Sequence, residues 1–213
     1  MTDAHCHVSA GDPSVREFLI GRDFVGVHPW DSASADCAAT CASLRAALAA
    51  GVARGVGEIG LDRLRERDIS ETMRAIFEAQ LAVAAACGCP VVLHGAKCWG
   101  QVVAAVRRLP SRPTGLLFHG FSRSAGLIAD IAALGGFISV GPAVLNDHAV
   151  NYRELVKAIP DSCLLVETDR TEDGGVSVRE VLEKAAALRG VTSAALEALT
   201  DANATRFMTG GAA

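Results

Sequence analysis

The chain has 213 residues, half of them apolar and 21% charged, with a formal charge of −4 at pH 7. That length suits one domain with a full hydrophobic core, and the composition excludes a disordered or fibrous protein. The mild acidity excludes a general nucleic-acid coat protein and leaves only a local positive site as a means of holding a polyanion.

Seven cysteines without regular spacing, Cys87 and Cys89 only two apart, argue against a disulfide framework and for a reducing, cytoplasmic setting. Polar and charged residues follow Met1 at once, which does not suit a signal peptide of the usual form. No apolar run reaches the ~18 residues of a membrane span. The expectation is a protein with no membrane association and no obligate protein partner.

Taken in chain order, Thr2 to His5 reads as a strand, Glu17 to Ile20 as a fainter one and Phe24 to His28 as a third. A helix follows over about Asp36 to Ala50, then a strand from Gly55 to Ile59. Ser70 can cap a helix whose apolar face is Met73, Ile76, Phe77, Leu81 and Ala84, and Gly88 with Pro90 end it. Next come a strand at Val91 to His94, a helix at Trp99 to Leu109 and a strand at Leu116 to His119. A helix at Ser124 to Leu134, a strand at Phe137 to Val140, a helix at Asn151 to Ile159 and a strand at Leu164 to Glu167 continue the rhythm. Ser177 with Glu180 makes a capping box before another helix, and a last helix covers Ser193 to Met208.

Short apolar strands alternating with helices are the pattern of βαβ units and a parallel sheet covered on both faces. The expected fold is α/β, a distorted (β/α) TIM-like barrel of seven or eight mostly parallel strands. It forms a single domain over residues 1–208, with a flexible tail at 209–213. Periodicity alone leaves an open doubly wound sheet as the alternative; the position of the polar residues favours the barrel.

Five of the apolar runs end in residues able to bind a metal: His5 and His7, Glu58, His94, His119 and Asp169. In a parallel barrel all strand carboxyl ends face one mouth, where residues distant in sequence converge. His5 and His7 project to the same side because strand side chains alternate. Each residue has a bland alternative, as a loop contact, a helix cap or a backbone acceptor beside the glycines around Glu58. Their coincidence on five strand ends, in a chain with six histidines, favours a metal site. Four imidazoles and two carboxylates suit two divalent ions, Zn²⁺, Mn²⁺ or Mg²⁺. Two carboxylates against two dications leave net positive charge, so an anionic phosphoester remains an acceptable substrate.

The segments DAHCH at 3–7, GVHPW at 26–30, GEIGLD at 57–62, PVVLH at 90–94, FHGFSRS at 118–124, ISVGPAV at 138–144, VETD at 166–169 and NATRF at 203–207 run across nearly the whole chain. Together they resemble the TatD family of metal-dependent hydrolases, among the amidohydrolase-like barrels. The resemblance implies a distorted (β/α) barrel with metal-dependent DNase or phosphoesterase activity. It implies His5 and His7 on one metal, His94 and His119 on the other, Glu58 bridging, and Asp169 beside the nucleophilic water as general base. His28 is either a loop contact or a substrate contact. Where many members carry an arginine two residues after the histidine of the fourth strand, this chain has Ala96 and then Lys97, a point charge rather than a planar fork. Residues 8–23 are too few for a full strand–helix unit of ~30 residues, the loop Arg170 to Gly175 is short, and 213 residues fall below the ~250 of such barrels. The chain resembles a shortened member.

The first functional reading is a hydrolase of phosphoesters, nuclease- or phosphodiesterase-like, acting on DNA ends or a small phosphodiester through a metal-activated water. Asp169 and Glu58 serve catalysis, and Lys97, His28 and Arg123 meet the substrate. A second reading keeps the metals and cleaves amides or esters; a third is a metal-stabilised binding protein without turnover.

Overall fold

The computed structural model describes residues 1–65, 67–122 and 125–210. In chain order come β1 (Thr2–Cys6), β2 (Arg16–Leu19), β3 (Phe24–Val25), α1 (Cys37–Ala49), β4 (Gly55–Asp62), α2 (Glu71–Cys87), β5 (Val91–Ala96) and α3 (Trp99–Arg108). Then follow β6 (Leu116–Phe118), α4 (Ile128–Ala133), β7 (Phe137–Val140), α5 (Val150–Ala158), β8 (Leu164–Val166), α6 (Val178–Arg189) and α7 (Ser193–Thr209). Short 3-10 turns lie at Pro29–Ser34, Ala125–Leu127, Pro142–Leu145 and Asp161–Cys163. No described helix is long and apolar enough to cross a membrane.

Strands β3 to β8 form one parallel sheet in sequence order, and β1 pairs in parallel with β2. Two joins link these pieces into a distorted barrel. At one, the Asp169 amide donates to the His5 carbonyl at 3.0 Å and the His7 amide to the Arg170 carbonyl at 2.8 Å. At the other, Ile20 bridges to Phe24. The fainter strand predicted at Glu17 to Ile20 is therefore real, and residues 7–15 connect it to β1 without a helix.

The alternation of side chains places the site. Val91 and Leu93 of β5, Leu116 and Phe118 of β6, and Leu164 and Val166 of β8 belong to the outer apolar layer, with Phe77, Leu81, Val102, Val106, Val181 and Leu182 from the helices. The intervening Val92, Leu117, Phe137 and Leu165 form an inner cluster with Phe18, Phe24 and Phe207. Phe207, from α7, lies with its ring centroid 5.8 Å from Phe24 and 6.0 Å from both Phe18 and Phe137, sealing the amino end of the strands. Two residues further along each strand, the inner positions turn polar: His94 above Val92, His119 above Leu117, Ser139 above Phe137 and Glu167 above Leu165. One end of the interior is thus aromatic and dry, and the other carries the ionisable groups.

Most elements end where their capping residues dictate. Ser70 accepts from the Met73 amide at 3.1 Å and Gly88 closes α2 with φ +59°. Ser177 and Glu180 form the capping box of α6. The α7 helix runs to Thr209 with Gly210 as its cap, and residues 211–213 of the expected tail lie outside the described residues. Three elements differ most from expectation, the first being β4, which runs past the predicted Ile59 to Asp62. The strand predicted over Phe24 to His28 stops at Val25 because buried Gln80 of α2 takes over the next backbone groups, accepting from Val27 N at 2.7 Å and donating to Val27 O at 3.0 Å. Of the helix predicted over Ser124 to Leu134, Ser124 lies outside the described residues, Ala125–Leu127 form a 3-10 turn, and only Ile128–Ala133 is α-helical. Of the paired cysteines before β5, Cys89 is buried and Cys87 is exposed.

Candidate metal centre

Glu58 stands at the middle of the barrel mouth, 5% exposed, on β4 where the pairing with β5 shifts register between Val56 and Ile59. Its two oxygens face different partners. Oε2 lies 3.6 Å from His5 Nε2 and 3.4 Å from His7 Nε2. Oε1 lies 2.6 Å from His94 Nδ1, 2.5 Å from His119 Nε2 and 3.6 Å from His28 Nε2. Asp169 Oδ1 completes the first side, 3.3 Å from His5 Nε2 and 3.6 Å from His7 Nε2. The structure therefore brings together all six residues that the sequence nominates as metal ligands, and adds His28. Three overlapping triads have donor atoms within 4.8 Å of one another: His5, His119 and Asp169; His5, His7 and Glu58; His28, Glu58 and His94.

The electrostatics follow from this crowding. Burial alone would raise the Glu58 carboxyl; the charge of His119 and hydrogen bonds from His119, His28 and His7 overcome it and hold the group well below the usual carboxylate range. Asp169 behaves alike, with burial opposed and outweighed by His5 and His7. Hydrogen bonds to Asp169 and Glu58 raise His7 to about 9 against its partial burial. His5 moves the other way, because complete burial and the neighbouring His119 disfavour its charged form.

His5 tests whether this pocket suits a cation. Among the described residues, neither of its ring nitrogens has a hydrogen-bond partner, and the same holds for His119 Nδ1. An unsatisfied buried polar atom costs about 1–3 kcal/mol. His5 Nε2, unpartnered and facing the ionised Glu58 and Asp169, is the kind of donor a divalent ion requires, so the residues fit a metal.

His28 and Lys97 line two cavities that share this centre. One, of about 460 Å³, is lined by His7, His28, Trp30, Glu58, Asp169 and Thr171 among others. The other, of about 280 Å³, holds Leu64, Lys97, Trp99 and Ser122 beside His94, His119 and Asp169. Lys97 is exposed there and, like Asp169, has a left-handed backbone, with φ of 57° and 51° respectively. Such a conformation costs a non-glycine residue about 1–2 kcal/mol. His28 Nδ1 accepts the Trp30 amide at 3.2 Å, which caps the Pro29–Ser34 turn and leaves the ring proton on Nε2, toward Glu58. Arg123 lies outside the described residues.

Three buried carboxylates escaped the sequence reading. Asp62 accepts from Trp30 Nε1 at 2.7 Å, from Leu64 N at 2.5 Å and faces His94 Nε2 at 3.1 Å. Glu167 accepts from Ser139 Oγ at 2.5 Å and Gly120 N at 2.7 Å, and lies 3.7 Å from His119 Nδ1. Asp3 accepts from Thr168 N and Oγ1, at 3.0 and 2.6 Å. Burial pushes its carboxyl up to about 7 against those bonds. Their signal was an acid inside or closing an otherwise apolar strand, in DAHCH, GEIGLD and VETD.

Residues 21–209 match the family described as TatD related DNase. The chain belongs to the TatD-related DNase family. Among curated relatives, it is 31% identical to the 3'-5' ssDNA/RNA exonuclease TatD of Klebsiella pneumoniae over 84% of this chain and 73% of that protein. It is 27% identical to the uncharacterized metal-dependent hydrolase YabD of Bacillus subtilis, spanning 71% of this chain and 64% of the relative. The TatD homolog YJJV of Escherichia coli superposes with a TM-score of 0.78 at 22% identity, over 92% of this chain and 78% of that one. A TatD family hydrolase from Entamoeba histolytica gives 0.72 at 16% identity, over 91% and 75%. These likenesses support the barrel architecture of this TatD-family chain.

Proposed function

We propose that this chain is a divalent-metal-dependent hydrolase of phosphodiester bonds in nucleic acid. The observation that carries the reading is Glu58, whose two oxygens are divided between His5 with His7 and His94 with His119. That division suits a carboxylate shared by two cations. His5, His7, Glu58 and Asp169 would hold one, and Glu58, His94 and His119 the other. Divalent ions there supply Lewis-acid polarisation of a phosphoryl oxygen and make water a stronger acid.

The chain's own groups do the rest. Asp169 turns Oδ1 to the imidazoles, and its second oxygen takes the proton of the attacking water. His28, whose Nδ1 holds the turn after it, turns its Nε2 proton into the pocket, where it meets a substrate oxygen. Lys97 offers an ammonium to a non-bridging phosphate oxygen from the adjoining cavity. The name of the Klebsiella relative supports single-stranded nucleic acid as the substrate class.

The test is to strip the protein of metal, reload it with Mn²⁺, Mg²⁺ or Zn²⁺, and follow end-labelled single-stranded DNA and RNA together with bis-p-nitrophenyl phosphate. Metal-dependent release of nucleotides is expected, falling at least 100-fold in His119→Ala and Asp169→Ala. Full activity in both variants would sink the reading, as would turnover of amides with none of phosphodiesters.

A further inference from the structure

Each histidine that faces Glu58 must choose which ring nitrogen it offers, and His94 differs from its neighbours. His5, His7, His28 and His119 approach Glu58 through Nε2, whereas His94 approaches through Nδ1. Its Nε2 points the other way, to Asp62 Oδ2 at 3.1 Å. Asp62 is 1% exposed and ends β4, four residues after Glu58. It is itself fixed from two sides: Oδ2 accepts the Trp30 indole N–H at 2.7 Å and Oδ1 accepts the Leu64 amide at 2.5 Å. The carboxylate cannot swing away without stranding those donors in a buried place.

We propose that Asp62 is a positioning residue that sets which nitrogen of His94 meets the metal, by accepting the His94 Nε2 proton and leaving the Nδ1 lone pair for the cation that Glu58 would share. Turning the imidazole over about its Cβ–Cγ bond would exchange Nδ1 for a ring carbon, so a C–H would face Glu58 and the ligand would be lost. An acceptor at Nε2 opposes that turn and strengthens Nδ1 as a donor. His28 is held in the same way with the opposite result: its Nδ1 accepts the Trp30 amide, so Nε2–H faces the pocket. Trp30 thus touches both, through its amide at His28 and through its indole at Asp62. One residue of the GVHPW segment helps make one histidine a hydrogen-bond donor and the other a metal ligand. The inference rests on the metal reading above.

The experiment compares the wild-type protein with Asp62→Asn and Asp62→Ala, loaded with Zn²⁺, by calorimetry and by long-range ¹H–¹⁵N correlation of the histidine rings. In the wild type, His94 is expected to bind Zn²⁺ through Nδ1 and to show an Nε2–H that exchanges slowly with water. Both substitutions should weaken Zn²⁺ binding about 10–100-fold at the Glu58–His94 position and abolish the slow Nε2–H signal. Variants that melt earlier yet keep wild-type Zn²⁺ affinity would reduce Asp62 to a structural role and overturn the proposal. The wild-type spectrum tests it without any substitution, since ligation through Nε2 overturns it outright. A wild-type protein with no Zn²⁺ affinity would overturn the metal reading, and this inference with it.

Discussion

His5 carries two ring nitrogens into the barrel mouth and, among the described residues, finds a hydrogen-bond partner for neither. A protein selected only for stability would place an aliphatic side chain there. His5→Leu is therefore expected to leave the metal-free protein within about 1 kcal/mol of wild type, since the unsatisfied atoms cost about as much as the ring contributes. The same change should erase most of the stabilisation by added metal, which for a tight site is about 2.7 kcal/mol at a hundredfold excess over Kd. Thermal denaturation with and without Zn²⁺ measures both, and an unchanged metal-induced rise in Tm would remove His5 from the ligand set. His5 and its five partners were legible because each closes an apolar run. Asp62 and Glu167 were not, because their meaning lies in partners 32 and 47 residues away, such as Trp30 and Gly120.

At the scale of the element, β4 and the segment after β3 set the precision of the site. Gly60 sits opposite His94, and a Cβ built on it would fall 2.0 Å from the His94 carbonyl oxygen. Since that oxygen belongs to backbone, relief would require β4 and β5 to part. Gly60→Ala should cost about 3 kcal/mol and weaken metal binding in the same variant. Gly100→Ala, in α3 with nothing near its Cβ position, should be neutral or stabilising by up to ~1 kcal/mol. Urea denaturation of the pair decides whether the close approach of the strands or glycine itself matters. Gln80 makes the second case. It sits among Ile76, Phe77 and Leu81 in α2, and its amide replaces the strand partner that Val27 lacks. Gln80→Leu should cost about 1–3 kcal/mol and lower kcat by loosening the His28 segment, with metal stoichiometry unchanged. Wild-type turnover in a folded Gln80→Leu protein would show that His28 needs no such anchor. Sequence alone extended that strand to His28 because the apolar run continues, and a helix glutamine gives no sign of which backbone it will satisfy.

The whole molecule divides into a chemical end and a structural end, and the two should respond independently. The strand ends hold Glu58, His94, His119 and Asp169, while Phe207 from α7 closes the opposite end against Phe18, Phe24 and Phe137. Val92, Leu117 and Leu165 lie between as a packed layer. The alternation of strands and helices made a parallel α/β sheet legible in the sequence, the polar strand ends favoured closing it into a barrel, and the shortage of residues at 8–23 foretold the missing helix. The two joins were not legible, because they rest on backbone bonds around Asp169, Arg170 and Ile20 that no side-chain pattern announces. Phe207→Ala should remove about 3–5 kcal/mol, since the ring is fully buried and its neighbours belong to strands that cannot collapse inward. For a chain of this size that lowers Tm by on the order of 10 °C. At a temperature where the variant remains folded, its Zn²⁺ affinity should stay within about twofold of wild type, and its stability loss should add to that of His119→Ala, as for sites with no shared partners. A large loss of metal affinity in Phe207→Ala would mean that the aromatic end tunes the mouth through the strands, and that the barrel acts as one coupled unit rather than as two stacked layers.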